Sequence, residues 1–173
     1  VTGANSGIGR DAAAKLSAQG ADVYVLARTL AKASEAAAAT GAAGYFECDL
    51  ASLESVRKMV DAWDKEPIDA LCLNAGVAPA TSDKKPGRTA EGFELAVGTN
   101  HLGHFLLASL LLKRLEASAC LEPRLVVTAS SVHDPNTPGG DVGAKAMLGS
   151  LAGLGGYAKT GSFDMVDGGT YDG

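Results

Sequence analysis

The amino-acid sequence predicts an α/β domain built on a doubly wound parallel sheet, and three observations predict it. A glycine-rich turn, Thr2 to Gly9, leads directly into a helical pattern. Short apolar runs then alternate with helical segments as far as Thr128. The loops between most of them are tight, so each strand can reach a parallel neighbour only by crossing over through a helix, which covers both faces of the sheet. This is a Rossmann-like arrangement.

The elements follow in order. Ile8, Ala12 and Leu16 recur at every fourth position and Gly20 stands just beyond them, marking a first helix and its stop. Asp22 to Ala27 (DVYVLA) is a short apolar run suited to a strand buried on both faces. Leu30 to Thr40 is an alanine-rich helix closed by Gly41, and Tyr45 to Cys48 is the next strand. Ser52 can cap a helix whose Val56, Met59, Val60 and Trp63 share one face. Ala70 to Leu73 (ALCL) forms a further strand, a polar loop runs through Lys84, Lys85 and Pro86, and a long helix covers Asn100 to Leu115. Arg124 to Thr128 (RLVVT) closes the series as a strand.

Val1 leaves only a stub for the strand that the glycine turn must follow, so the sheet is expected to be truncated at its start. From His133 onward Pro, Gly and small residues replace the periodic pattern, apart from an apolar cluster at Met147 to Leu154. Residues 1–173 therefore read as a single partial nucleotide-binding domain, truncated at both ends, with 133–173 a loop-rich insertion. Unpaired sheet edges leave self-association open as a consequence.

Composition excludes several partners. The formal net charge of −5 comes with no basic block, which argues against nucleic acid and anionic lipid. The apolar stretch Phe105 to Leu112 is far short of the roughly 20 residues that span a bilayer. Cys48, Cys72 and Cys120 are odd in number with no close pair, so neither a disulfide framework nor a zinc knuckle is expected. His101 and His104 stand at i, i+3 without a recognisable third ligand, and Asp164, Asp167 and Asp172 lack the spacing of a calcium loop. No metal site is expected.

The chemistry concentrates at the turn. Gly3, Gly7 and Gly9, with Asn5, Ser6 and Ile8 between them, stand where a strand becomes a helix. There the backbone can approach a pyrophosphate and aim helix N–H groups at it. The end of the following strand reads Ala27-Arg28-Thr29, with no acid to bond a ribose 2′-hydroxyl. Arg28, with Lys32 one helical turn beyond, suits a 2′-phosphate instead, which favours NADPH as cofactor over NADH. Asp49 and Leu50 end the third strand of the series and Asn74, Ala75 and Gly76 the fourth, on the carboxyl edge where open α/β sheets bind ligands. Asp49 also suits a helix N-terminus, and the two roles are compatible.

With these pieces in order the chain resembles the short-chain dehydrogenase/reductase family, through Thr2 to Gly9, Asp49-Leu50, Asn74-Ala75-Gly76, Asn100 and Arg124 to Ser131. The phrase from Thr89 to Phe105 (TAEGFELAVGTNHLGHF) is similar to its light-dependent, protochlorophyllide-reducing branch. So are the pieces Ala144 to Gly149, Leu151 to Leu154 and Met165 to Gly169. The resemblance implies that Ser130 polarises the reacting group, that Asn100 supports a proton relay, that the substrate is a small tetrapyrrole and that the home is a plastid. It also implies a catalytic Tyr-x-x-x-Lys, which these 173 residues lack: Tyr157 is followed four positions on by Gly161. The chain by itself is therefore expected to be inactive. A dark carbonyl or retinol-type reductase and a non-catalytic NADPH-binding module are the rival readings.

Overall fold

Thr29 and Ser52 set the starts of two helices. Each has extended backbone, and its hydroxyl accepts an amide from the turn that follows, from Lys32 at 3.4 Å and from Ser55 at 3.3 Å. These bonds serve donors that a helix cannot pair internally. Gly41, at φ 67°, closes the first of the two in the left-handed conformation that glycine adopts without penalty. The computed structural model describes residues 1–65, 67–78 and 87–141. Its elements are α1 (Gly7–Ala18), β1 (Tyr24–Ala27), α2 (Leu30–Thr40), β2 (Gly44–Glu47), α3 (Leu53–Asp61) and β3 (Ala70–Leu73). A π-helical stretch, Val97–Gly103, then runs into α4 (His104–Glu116), and β4 (Arg124–Val127) and a 3-10 turn (Ser131–His133) follow.

β1 pairs with β2 and β3 with β4, both in parallel, and Val1 to Gly3 joins the two pairs. The Leu26 N–H donates to the Val1 carbonyl and the Gly3 N–H to that of Leu26, both at 2.9 Å, while the Thr2 N–H donates to the Cys72 carbonyl at 3.0 Å. The order across the sheet is therefore β2, β1, the Val1–Gly3 stub, β3, β4. Chain order runs outward in both directions from the stub, which makes its carboxyl end the switch point where such sheets bind ligands.

The two faces are covered differently. Leu26, Leu71 and Leu73 pack with Val56, Met59 and Val60 of α3 and with Leu107 and Leu111 of α4. On the other face Val25 meets Ala13, Ala36 and Ala37. Val25 and Leu26 serve opposite faces, as strand alternation requires.

Several elements depart from the sequence expectation. On α1 the buried positions are Gly9 and Ala13, one place off the expected stripe, and Ile8 is exposed. β2 starts one residue early. Trp63 lies beyond the end of α3, yet it packs against the same core as Val56, Met59 and Val60, edge-on to Tyr24 at 5.3 Å and beside Phe46 at 5.2 Å. The long helix expected from Asn100 begins as a π-helical stretch at Val97, where the Glu94 carboxylate accepts the amides of Ala96 and Val97, both at 2.8 Å. All four residues of β4 are exposed, although the sheet was expected to be covered on both faces. The loop-rich insertion expected over 133–173 falls among the described residues only as far as Asp141, through hydrogen-bonded turns at Thr137 and Gly140.

Candidate functional site

Gly3 and Gly9 are glycines for want of space. A Cβ on Gly3, already at φ 67°, would lie 2.8 Å from the Ala75 Cα, and one on Gly9 would lie 2.4 Å from the Asn74 amide nitrogen and 2.6 Å from the Gly3 carbonyl oxygen. The turn is pressed against the end of β3. It is also bonded there: the Thr2 hydroxyl oxygen accepts the N–H groups of Asn74 at 2.9 Å and Ala75 at 3.0 Å, and the Asn74 side chain donates to the Thr2 carbonyl at 3.1 Å.

A cleft of about 690 Å³ opens at this edge. Gly3, Asn5, Ser6, Gly7, Ile8, Arg28, Asp49, Leu50, Asn74, Ala75 and Gly76, all singled out from sequence, line it together. Gly9 is buried behind it, and Lys32, half-buried on the first turn of α2, is not among the lining residues. Ser6 makes no side-chain hydrogen bond to the first turn of α1, unlike Thr29 and Ser52 on theirs, so the α1 amides are offered to the cleft. Positive backbone dipoles, a nearby arginine and two close-packed glycines suit a pyrophosphate.

Asp49 serves its own loop. Its carboxylate accepts the Ala51 amide at 3.0 Å while its N–H donates to the Ser55 hydroxyl at 2.9 Å. Beside it, burial first and the Asp49 charge second push the Cys48 thiol up to about 12, so this cysteine is a packing group. Asn100 holds Val77 at the far wall by both atoms of its backbone, accepting the N–H at 2.8 Å and donating to the carbonyl at 2.9 Å. Ser130, beyond β4, is exposed, and its hydroxyl accepts the Val132 N–H at 3.4 Å. Among the described residues no group of His, Cys, Asp and Glu is placed to hold a metal ion.

Three side chains were given no role in the site by sequence reasoning. Thr2 and His104 pair at 2.9 Å across 102 positions. The histidine pair at i, i+3 was the available signal, but its members part company: His104 is buried and His101 is exposed against Phe105. Glu47 was also unremarked, and its carboxylate accepts the amide of Leu30, two residues beyond Arg28, at 2.7 Å.

Residues 1–140 match the family model of the short chain dehydrogenases, and the chain belongs to that family. Among its relatives is a chloroplastic protochlorophyllide reductase of Cucumis sativus, 44% identical over 180 residues that take in 100% of this chain and 45% of the relative. A protochlorophyllide reductase of Avena sativa is 46% identical over 176 residues, covering 97% of this chain and 56% of its own length. The chain thus spans about half the length of the curated relatives it matches. Among solved structures, the Pseudomonas aeruginosa RhlG/NADP active-site complex superposes with a TM-score of 0.66 at 26% identity, over 84% of this chain and 57% of that one. A short chain dehydrogenase from Escherichia coli CFT073 complexed with NADPH gives 0.61 at 30% identity, over 79% and 60%.

Proposed function

We propose that this chain forms the cofactor-binding part of an NADPH-dependent reductase that converts protochlorophyllide to chlorophyllide in light, within the chlorophyll biosynthesis of a plastid. The observation that carries the cofactor reading is the uncapped N-terminus of α1 opening into a glycine-lined cleft with Arg28 on its rim. The substrate reading is supported by the identity to protochlorophyllide reductases across the whole chain.

NADPH, when bound, supplies the hydride. The residues of the chain bind and orient. The first-turn amides of α1 take the pyrophosphate, Arg28 takes the 2′-phosphate with Lys32 adding charge, and Asp49, Leu50 and the Asn74-Ala75-Gly76 corner line the adenine and ribose path. Ser130 polarises the reacting group, and Asn100, anchored to Val77, supports proton delivery. The tyrosine that gives the proton to the substrate is not among these residues.

Arg28→Ala should weaken NADPH by about 1.5–3 kcal/mol, since a charge-assisted hydrogen bond to the 2′-phosphate is lost, and leave NADH nearly unchanged. Titration of both nucleotides measures this, and equal weakening would remove Arg28 from the phosphate site. The substrate reading is tested on the protein expressed from its complete reading frame, with NADPH and protochlorophyllide, in darkness and under illumination. Product only after illumination is expected. Reduction of aldehydes or ketones in the dark with the pigment untouched would replace it by an ordinary reductase, and a reading frame without Tyr-x-x-x-Lys by a binding module.

A further inference from the structure

The Thr2 hydroxyl has one proton and two lone pairs. The amides of Asn74 and Ala75, at 2.9 and 3.0 Å, fill the lone pairs. Its proton is left for the remaining neighbour, the His104 Nε2 at 2.9 Å, so Nε2 accepts and is bare. Across the ring, Nδ1 lies 3.0 Å from the Asn100 carbonyl oxygen, which can only accept, so Nδ1 carries the proton. Four contacts, each with one possible polarity, leave a single protonation state for a ring only 5% exposed.

The π-helical stretch makes this geometry available. The backbone N–H of His104 goes to the His101 carbonyl, and the ring addresses that of Asn100. Asn100 in turn grips Val77. From one imidazole, hydrogen bonds run to the glycine turn and the end of β3 on one side and to Asn100 on the other.

We propose that His104, held as the neutral Nδ1–H tautomer, is a positioning residue that ties Thr2 of the glycine turn to Asn100 of the π-helical stretch and so fixes two walls of the cleft against each other. Its effect on nucleotide binding rests on the cofactor reading above; the tautomer does not. The groups facing the ring are uncharged: Thr2 from the stub, the Asn74 and Ala75 amides behind it from the end of β3, and Asn100 from the π-helical stretch. His101, one turn back, is turned toward Phe105. Burial pushes the His104 pKa down, and the Asn100 carbonyl draws it partly back.

The chain has three histidines, so imidazole nitrogen correlation spectra of the 15N-histidine-labelled protein, assigned with His104→Asn, report the tautomer directly. His104 should show a protonated Nδ1 and a bare Nε2, and keep that pattern as pH falls past 6.5. An Nε2–H form, or averaging between the two, overturns the proposal. His104→Asn keeps a donor for Asn100 and His104→Gln an acceptor for Thr2. Each should weaken NADPH roughly threefold to tenfold, one hydrogen bond's worth, and His104→Phe more. Unchanged NADPH affinity in folded His104→Phe overturns the positioning role. Failure of the parent protein to bind NADPH would count against the cofactor reading alone, since the tautomer would still be read from its spectrum.

Discussion

His104 is a residue whose charge state is set by where the fold puts it. Burial lowers its pKa, so the folded protein keeps it neutral while the unfolded chain takes up a proton at the ordinary value of 6.5. Below that value the unfolded state binds more protons, so the stability associated with neutral His104 is present above pH 6.5 and is lost as pH falls toward the folded-state pKa. The excess stability of the parent over His104→Phe should therefore shrink between pH 7.5 and 5.5, by urea unfolding at each pH. The carboxylates are common to both proteins and cancel, so an excess constant with pH would show the ring to be titrating alike in both states. The network could not be read from sequence: Thr2 and His104 lie 102 positions apart, and a buried histidine in an apolar helix looks the same whichever nitrogen is protonated. The glycines were legible because a turn from strand to helix restricts residue type locally.

Among the elements, those governed by local chemistry matched their sequence signals. α2 runs from Leu30 to Thr40 with Gly41 as its stop, and β3 from Ala70 to Leu73, as read from the residues alone. The π-helical stretch did not, because its cause is tertiary. Gly103 packs where a Cβ would lie 2.3 Å from the Leu50 carbonyl oxygen, and Gly98 where one would lie 2.1 Å from a Thr89 methyl. Nothing in the periodicity of Asn100 to Leu115 records that approach. Gly103→Ala must push α4 away from the loop after β2, since the obstructing atom is backbone and cannot swing aside. We expect a loss of about 1–3 kcal/mol in urea unfolding, the usual cost of overpacking. A loss within a few tenths would mean that the π-helical stretch rewinds to α and absorbs the methyl group.

At the scale of the whole molecule, the alternation of strands and helices was enough to foresee a parallel sheet, but not which strand would be exposed. Arg124 to Thr128 reads as a strand of a sheet covered on both faces, yet Leu125 and Val126 are 46% exposed and Val127 60%. An apolar run states what a strand can bury and not what is present to cover it. Protection should follow position in the sheet. Val25 and Leu26 lie next to the stub, at 0% and 5% exposure, with helices on both faces. β4 holds to β3 on one side and contributes nothing to either buried cluster. Opening β4 therefore exposes little new apolar surface, whereas opening β1 dismantles both faces of the core. Since each 1.4 kcal/mol of opening free energy is about a factor of ten in amide exchange, Val25 and Leu26 should exchange at least about a hundredfold more slowly than Val126 and Val127. Hydrogen exchange followed by mass spectrometry resolves the two segments. Equal protection would show that β4 opens only with the entire sheet, and that its exposed face is covered in solution.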